Sequence, residues 1–140
     1  ADFIPKLASN MGFETRFHHV AIRPGKPAFF ATRDNVAWLG LPGNPISTAI
    51  GWHILARPLL SRWFNCSEPQ KTKLILKNEV RKPEELRCYF RAEINQGRAW
   101  VARRQGSADL AASVASSAYV ELPEGVGRFA PDTPVEAIII

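Results

Sequence analysis

At 140 residues the chain is long enough for one ordinary domain or two small ones, and its 46% hydrophobic and 22% charged content excludes a disordered polypeptide. The net charge of +5 is uneven: residues 1–65 carry seven cations against three carboxylates, residues 66–106 ten against five, and residues 107–140 one against five, which points to an anionic ligand on the front part. Cys66 and Cys88 fit no metal spacing or disulfide framework, no apolar run approaches the ~20 residues of a membrane span, and no signal peptide is visible, so a reduced, cytoplasmic protein without a membrane partner is expected.

Residues 2–12 read as a short helix, with Asp2 as N-cap, Pro5 in the first turn and Gly12 closing the end. Residues 15–23 alternate and predict a strand with Phe17, Val20 and Ile22 as its apolar positions. Strands at 28–32 and 35–41 follow, around the turn Arg33-Asp34-Asn35. The loop Pro42-Gly43-Asn44-Pro45 leads into the longest helical pattern, residues 46–64. There Ile46, Ile50, Ile54, Leu55, Leu59 and Trp63 form an apolar stripe, and Pro58 predicts a kink or break. The polar stretch 65–72 is a candidate domain boundary. Beyond it, short strands at 73–80, 88–95, 99–104, 118–122 and 134–140 have the spacing of a small β-barrel or sandwich. Residues 108–117 fit either a short helix or coil.

Two Pro/Gly-braced loops carry the candidate chemistry. Arg23-Pro24-Gly25-Lys26-Pro27 offers two cations on a stiff turn; Arg grips oxyanions bidentately and Lys acts as a point charge. In Pro42-Gly43-Asn44-Pro45, glycine permits close backbone approach, Asn44 either caps the helix or bonds a ligand, and the amides around Ser47 face any anion at the helix start. Gln105-Gly106-Ser107 is a ligand loop or a plain turn, and Asp2 is a Mg²⁺ ligand or a helix cap. Taken alone, each of these reads more readily as ordinary surface structure. His18 and His19 are adjacent on a predicted strand and are expected on opposite faces, which argues against a two-histidine zinc site. No Ser-His-Asp set, paired carboxylate, P-loop or GxGxxG stands out.

Their order changes the reading. A helix opening Asp2-Phe3, then Phe17-x-x-VAIRPGKP, a strand, GLPGNPIS and a helix, then a β-region with QGSxxL, resembles the molybdopterin molybdenumtransferases, the MoeA proteins and the C-terminal part of gephyrin. The resemblance implies an α/β fold: residues 1–66 as the C-terminal part of a molybdopterin-binding, adenylyltransferase-like α/β domain, and residues 72–140 as a small all-β barrel-like domain. It implies molybdenum cofactor biosynthesis, in which molybdate is inserted into adenylylated molybdopterin with release of AMP and Mg²⁺ assistance by a cytoplasmic homodimer. Its partners are small molecules rather than nucleic acid or membrane.

Carried onto this sequence, the resemblance makes Asp2 a candidate for Mg²⁺ or molybdate handling and assigns Arg23 and Lys26 to phosphate or molybdate. Pro42, Gly43, Asn44, Pro45 and Ser47 would shape the pterin-nucleotide pocket, and Ser107 would face the active site. Two departures stand out. His19 replaces a common Lys four residues before Arg23, and Ala92 replaces the last Arg of an Arg-x-x-Phe/Tyr-x-Arg pattern. Arg91 is the substitute candidate, one position earlier and therefore on the other strand face. The Gly-rich segment, a further aspartate and two domains of such enzymes are not among these residues. An inactive fragment, with its strand edges covered by association between chains or with a disordered first third, is therefore expected. An alternative is an interaction scaffold that shares the fold without catalysis; a nucleic-acid-binding barrel over residues 66–106 is another.

Overall fold

A computed structural model describes residues 3–68, 70–102 and 116–140. Asp2 and Ser107 lie outside them. Helix α1 (Ile4–Asn10) begins with Pro5 in its first turn, where a missing N–H costs nothing; Phe3 holds the N-cap position without a side-chain cap bond. Its buried Ala8 packs on Phe29 and Ala31 of an antiparallel sheet. The sheet order is β1 (Glu14–His18), β3 (Phe29–Arg33), β4 (Val36–Gly40). Trp38 of β4 meets Phe13 edge-on, the ring centroids 5.4 Å apart.

The strand predicted over 15–23 is two strands. His19 takes a left-handed backbone, φ 72°, which ends the extended run. After it β2 (Ile22–Arg23) leaves the first sheet and pairs in parallel with β7 (Arg87–Asn95), Ile22 opposite Arg87 and Arg23 opposite Cys88. The same turn corrects the histidine expectation: the His18 and His19 rings lie together, centroids 4.0 Å apart, because the left-handed residue undoes strand alternation.

The long helix survives Pro58. It runs as α2 (Pro45–Gly51), a π-helical turn (Trp52–Ala56) and α3 (Arg57–Trp63). A proline inside an α-helix removes one N–H and pushes its ring against the carbonyl four residues back. The π turn widens the ladder just before that point, with the Arg57 N–H donating to Trp52 O, and Pro58 falls in the first turn of α3.

The back half is a five-stranded barrel. The order is β7, β8 (Arg98–Val101), β5 (Thr72–Leu76), β11 (Pro134–Ile139), β9 (Ala118–Leu122), closed by pairing of β7 with β9. Alternation assigns the two faces. Phe90, Ala92 and Ile94 of β7, with Val120 and Leu122 of β9, fill the barrel, whereas Tyr89 and Tyr119 point outward. On that outer face a second core forms where Ile46 and Ile50 of α2 meet Tyr89, Tyr119 and Ile138. A ribbon of two short strands, β6 (Val80–Arg81) and β10 (Arg128–Phe129), was not foreseen, since two residues carry no readable period. No helix among the described residues is long and apolar enough to cross a membrane.

Candidate functional site

The RPGKP loop is held by its own backbone. The Lys26 carbonyl accepts from the Val20 and Ala28 amides, both at 2.9 Å, and the His19 amide donates to Ala28 O at 2.8 Å. The Arg23–Pro24 peptide bond is cis. Gly25 has φ 117°, and a Cβ there would stand 3.0 Å from Ile22 Cδ1, so glycine is required. Arg23, at the end of β2 beside Cys88, faces the barrel side. Lys26 is exposed on the loop and does not line the cavity described next.

That cavity, about 200 Å³, lies between α2 and the barrel. Arg23 and Pro24 enter it from the loop, Ile46 and Ile50 from α2, Arg81 and Lys82 from the ribbon, and Tyr89 and Arg91 from β7. Arg23 and Arg91, far apart in sequence, thus share one cavity. Arg91 is only 3% exposed. It faces the cavity because residue 91 points out of the barrel while Ala92 points in. Among the described residues, no Asp or Glu lines this space.

Arg81 and Lys82 add cations that the sequence reading missed; the only signal was the basic pair before Pro83. Arg81 is braced by Glu79, whose Oε1 accepts from Arg81 Nε at 2.7 Å while Oε2 accepts from Arg128 Nε at 2.8 Å. These bonds hold the Glu79 carboxyl below its ordinary range. The buried Lys82 ammonium is committed locally, donating to Pro83 O at 3.0 Å and Leu86 O at 2.7 Å. Tyr89 is pushed up to about 12, first by burial and then by the neighbouring Glu121 carboxylate. Glu121 is itself flanked by Arg87 at 3.1 Å and Lys71 at 2.7 Å.

The PGNP loop resolves the two roles left open for Asn44. Its Oδ1 accepts from the Ile46 and Ser47 amides at 3.1 Å each and from the Ser47 hydroxyl at 3.3 Å. Asn44 is therefore the helix N-cap, and the Ser47 amide already has its partner. Thr48 Oγ1 donates to Asn44 O at 2.9 Å and also reaches Pro42 O, bracing the turn. Above Gly43 the space is open: a Cβ there would meet nothing within 4 Å. On the next helical turn His53 Nδ1 accepts from Arg57 Nη1 at 3.0 Å. Burial, and then the Arg57 charge, lower its pKa from the ordinary 6.5.

A helix-capped barrel with arginines converging between its parts is a candidate oxyanion-binding unit. The sequence is 40% identical over 141 residues to a molybdopterin molybdenumtransferase of Synechococcus elongatus, covering 97% of this chain and 34% of that protein. A Bacillus subtilis protein of the same name is 24% identical over 145 residues, covering 99% of this chain and 34% of its own length. Among solved structures, a molybdopterin biosynthesis MoeA protein from Pyrococcus horikoshii superposes with a TM-score of 0.79 at 25% identity, covering 96% of this chain and 34% of that one. No family model matches the chain. The chain belongs to the molybdopterin molybdenumtransferase family, and it spans 34% of the length of these relatives.

Proposed function

We propose that this chain supplies a cationic wall of the active site of a molybdenum cofactor biosynthesis enzyme. The enzyme inserts molybdate into adenylylated molybdopterin and releases AMP. Arg23 and Lys26 hold phosphate or molybdate oxygens, and Arg91 approaches from the barrel. The Pro42–Pro45 loop with Ser47 walls the pterin-nucleotide pocket; the open space above Gly43 is consistent with this. Ser107 and Asp2 complete the set, as residues outside the described part. The whole enzyme is a cytoplasmic homodimer with two domains meeting near residues 66–72, and these 140 residues alone are inactive.

One observation carries the proposal: Arg23, from the RPGKP loop, and Arg91, from the barrel, line a single small cavity together with Arg81 and Lys82. Such a space favours an oxyanion over a cation or a neutral ligand. Mg²⁺ stands differently. Among the described residues no group of three His, Cys, Asp or Glu side chains could hold a metal ion, so no step is assigned to it.

The test is a chimera in which these 140 residues replace the matching third of the Synechococcus elongatus relative. Molybdate insertion should fall about a hundredfold in Arg23→Ala, the scale of losing one preorganised charge-stabilising donor. Arg91→Ala should do the same. Full activity in both variants, with native circular dichroism, sinks the proposal.

A further inference from the structure

The ribbon of β6 and β10 sets two arginines side by side. Arg81 lies directly opposite Arg128, and Val80 opposite Phe129. Val80 and Phe129, 6% and 8% exposed, belong to the barrel core and anchor the ribbon there. The two arginines therefore stand on its outer side. Like charges directly opposite on neighbouring strands are destabilising. One carboxylate relieves them. Glu79 Oε1 accepts from Arg81 Nε at 2.7 Å, Oε2 accepts from Arg128 Nε at 2.8 Å, and Arg128 Nη2 lies 2.6 Å from the same Oε2. Two guanidiniums share one negative charge, so the cluster keeps a surplus cation. A single exposed Arg–Glu pair adds little to stability, and setting a second arginine opposite it is no gain for the fold.

The surplus has a direction. Arg128 gives both Nε and Nη2 to Glu79, whereas Arg81 gives only Nε. The two terminal nitrogens of Arg81 have no acceptor among the described residues. Arg81 lines the cavity that holds Arg23 and Arg91, and with Phe90 it also lines an adjoining space of about 440 Å³. It thus stands between the two spaces, where an anion entering or extending from the cavity passes it. Lys82 beside it is not available in the same way, because its ammonium is committed to backbone carbonyls. A guanidinium fixed through Nε and open at both terminal nitrogens presents the planar fork that grips an oxyanion bidentately.

We infer that Arg81 is a further ligand-binding arginine of this cavity, and that Glu79 and Arg128 are the positioning residues that aim it at a phosphate-type oxyanion. This rests on the oxyanion reading of the cavity and adds to it a residue and the device that holds it.

The test titrates inorganic phosphate into the 140-residue chain at low ionic strength and follows the phosphorus-31 line width. Arg81→Lys keeps the charge but replaces the fork by a point donor. It should weaken phosphate about tenfold, the scale of one hydrogen bond to a charged group. Arg98→Gln removes a cation that is paired with Asp132 away from the cavity, and should leave binding unchanged. Glu79→Gln raises the net charge by one, so the field alone would tighten binding. The opposed arginines lose their shared brace instead, and affinity should fall severalfold. These side chains stand outside the core, and circular dichroism checks the fold of each variant. Tighter binding in Glu79→Gln overturns the inference. So does parental affinity in Arg81→Lys where Arg23→Ala abolishes binding, which leaves the oxyanion cavity standing without Arg81. Binding that is indifferent to Arg23→Ala, or no binding at all, removes the oxyanion reading and this inference together.

Discussion

Asn44→Ala tests whether the PGNP loop is built first to start a helix. The substitution removes the oxygen shared by the Ile46 and Ser47 amides, each 3.1 Å away, and by the Ser47 hydroxyl at 3.3 Å. Both residues are 8% exposed, so water is poorly placed to replace the lost acceptor. Loss of an N-cap costs about 1–2 kcal/mol, and an amide left unpaired at a buried position moves the cost to about 2 kcal/mol. For a chain of this size that corresponds to a fall in Tm of roughly 5–10 °C. Thermal and urea unfolding followed by circular dichroism read it directly. Asn44→Asp keeps the acceptor and adds a charge that the helix start favours, so its Tm should stay near the parent value. In the chimera the same charge should weaken oxyanion binding, which separates the stability role from the ligand role. An unchanged Tm in Asn44→Ala refutes the capping argument and returns the side chain to a ligand.

Ile50 is 1% exposed between the helix and the outer barrel face, so Ile50→Ala should cost about 3–4 kcal/mol by urea titration. Tyr89 stays neutral in the folded chain to about pH 12, whereas an unfolded tyrosine ionises near 10. Its stabilising effect is complete below pH 10 and fades between pH 10 and 12 by up to about 1.4 kcal/mol per unit. Tyr89→Phe should therefore flatten the alkaline loss of stability, and an identical alkaline slope would contradict it. His53 is the opposite case, with a folded pKa below 6.5. Its contribution is present above pH 6.5 and is lost as pH falls through the lowered value. His53→Gln should reduce the decline in Tm on the acid side of 6.5.

Strong local periods were legible. The stripe through Ile46, Ile50 and Ile54 gave the helix and its buried face. Strand alternation anticipated that Arg91 would point away from the position occupied by Ala92, though not which of the two faces the barrel interior. What stayed hidden was set by single backbone angles or distant pairings. The left-handed His19 split one predicted strand into two and stacked two histidines. The parallel pairing of Ile22 and Arg23 with β7 joins residues more than sixty apart, which no local pattern encodes. The candidate site was half legible for the same reason: RPGKP and PGNP are local motifs, but the meeting of Arg23 with Arg81 and Arg91 is made by the fold.

The π turn at Trp52–Ala56 also governs how this helix tolerates changes of length. A π turn holds one residue more than an α turn over nearly the same rotation about the axis, so the helix on either side keeps its phase. Upstream, Ile46 and Ile50 look toward the barrel; downstream, Leu60 and Trp63 look toward β4. Deleting a single residue between 52 and 56 would restore a plain α-helix and leave those two directions nearly unchanged. Pro58 would then lie inside an unbroken ladder, its ring against the carbonyl four residues back, at a cost of about 3 kcal/mol. A one-residue deletion in this stretch should therefore be felt at the proline rather than at the aromatic end, and exchanging Pro58 for alanine in the same variant should recover most of the loss.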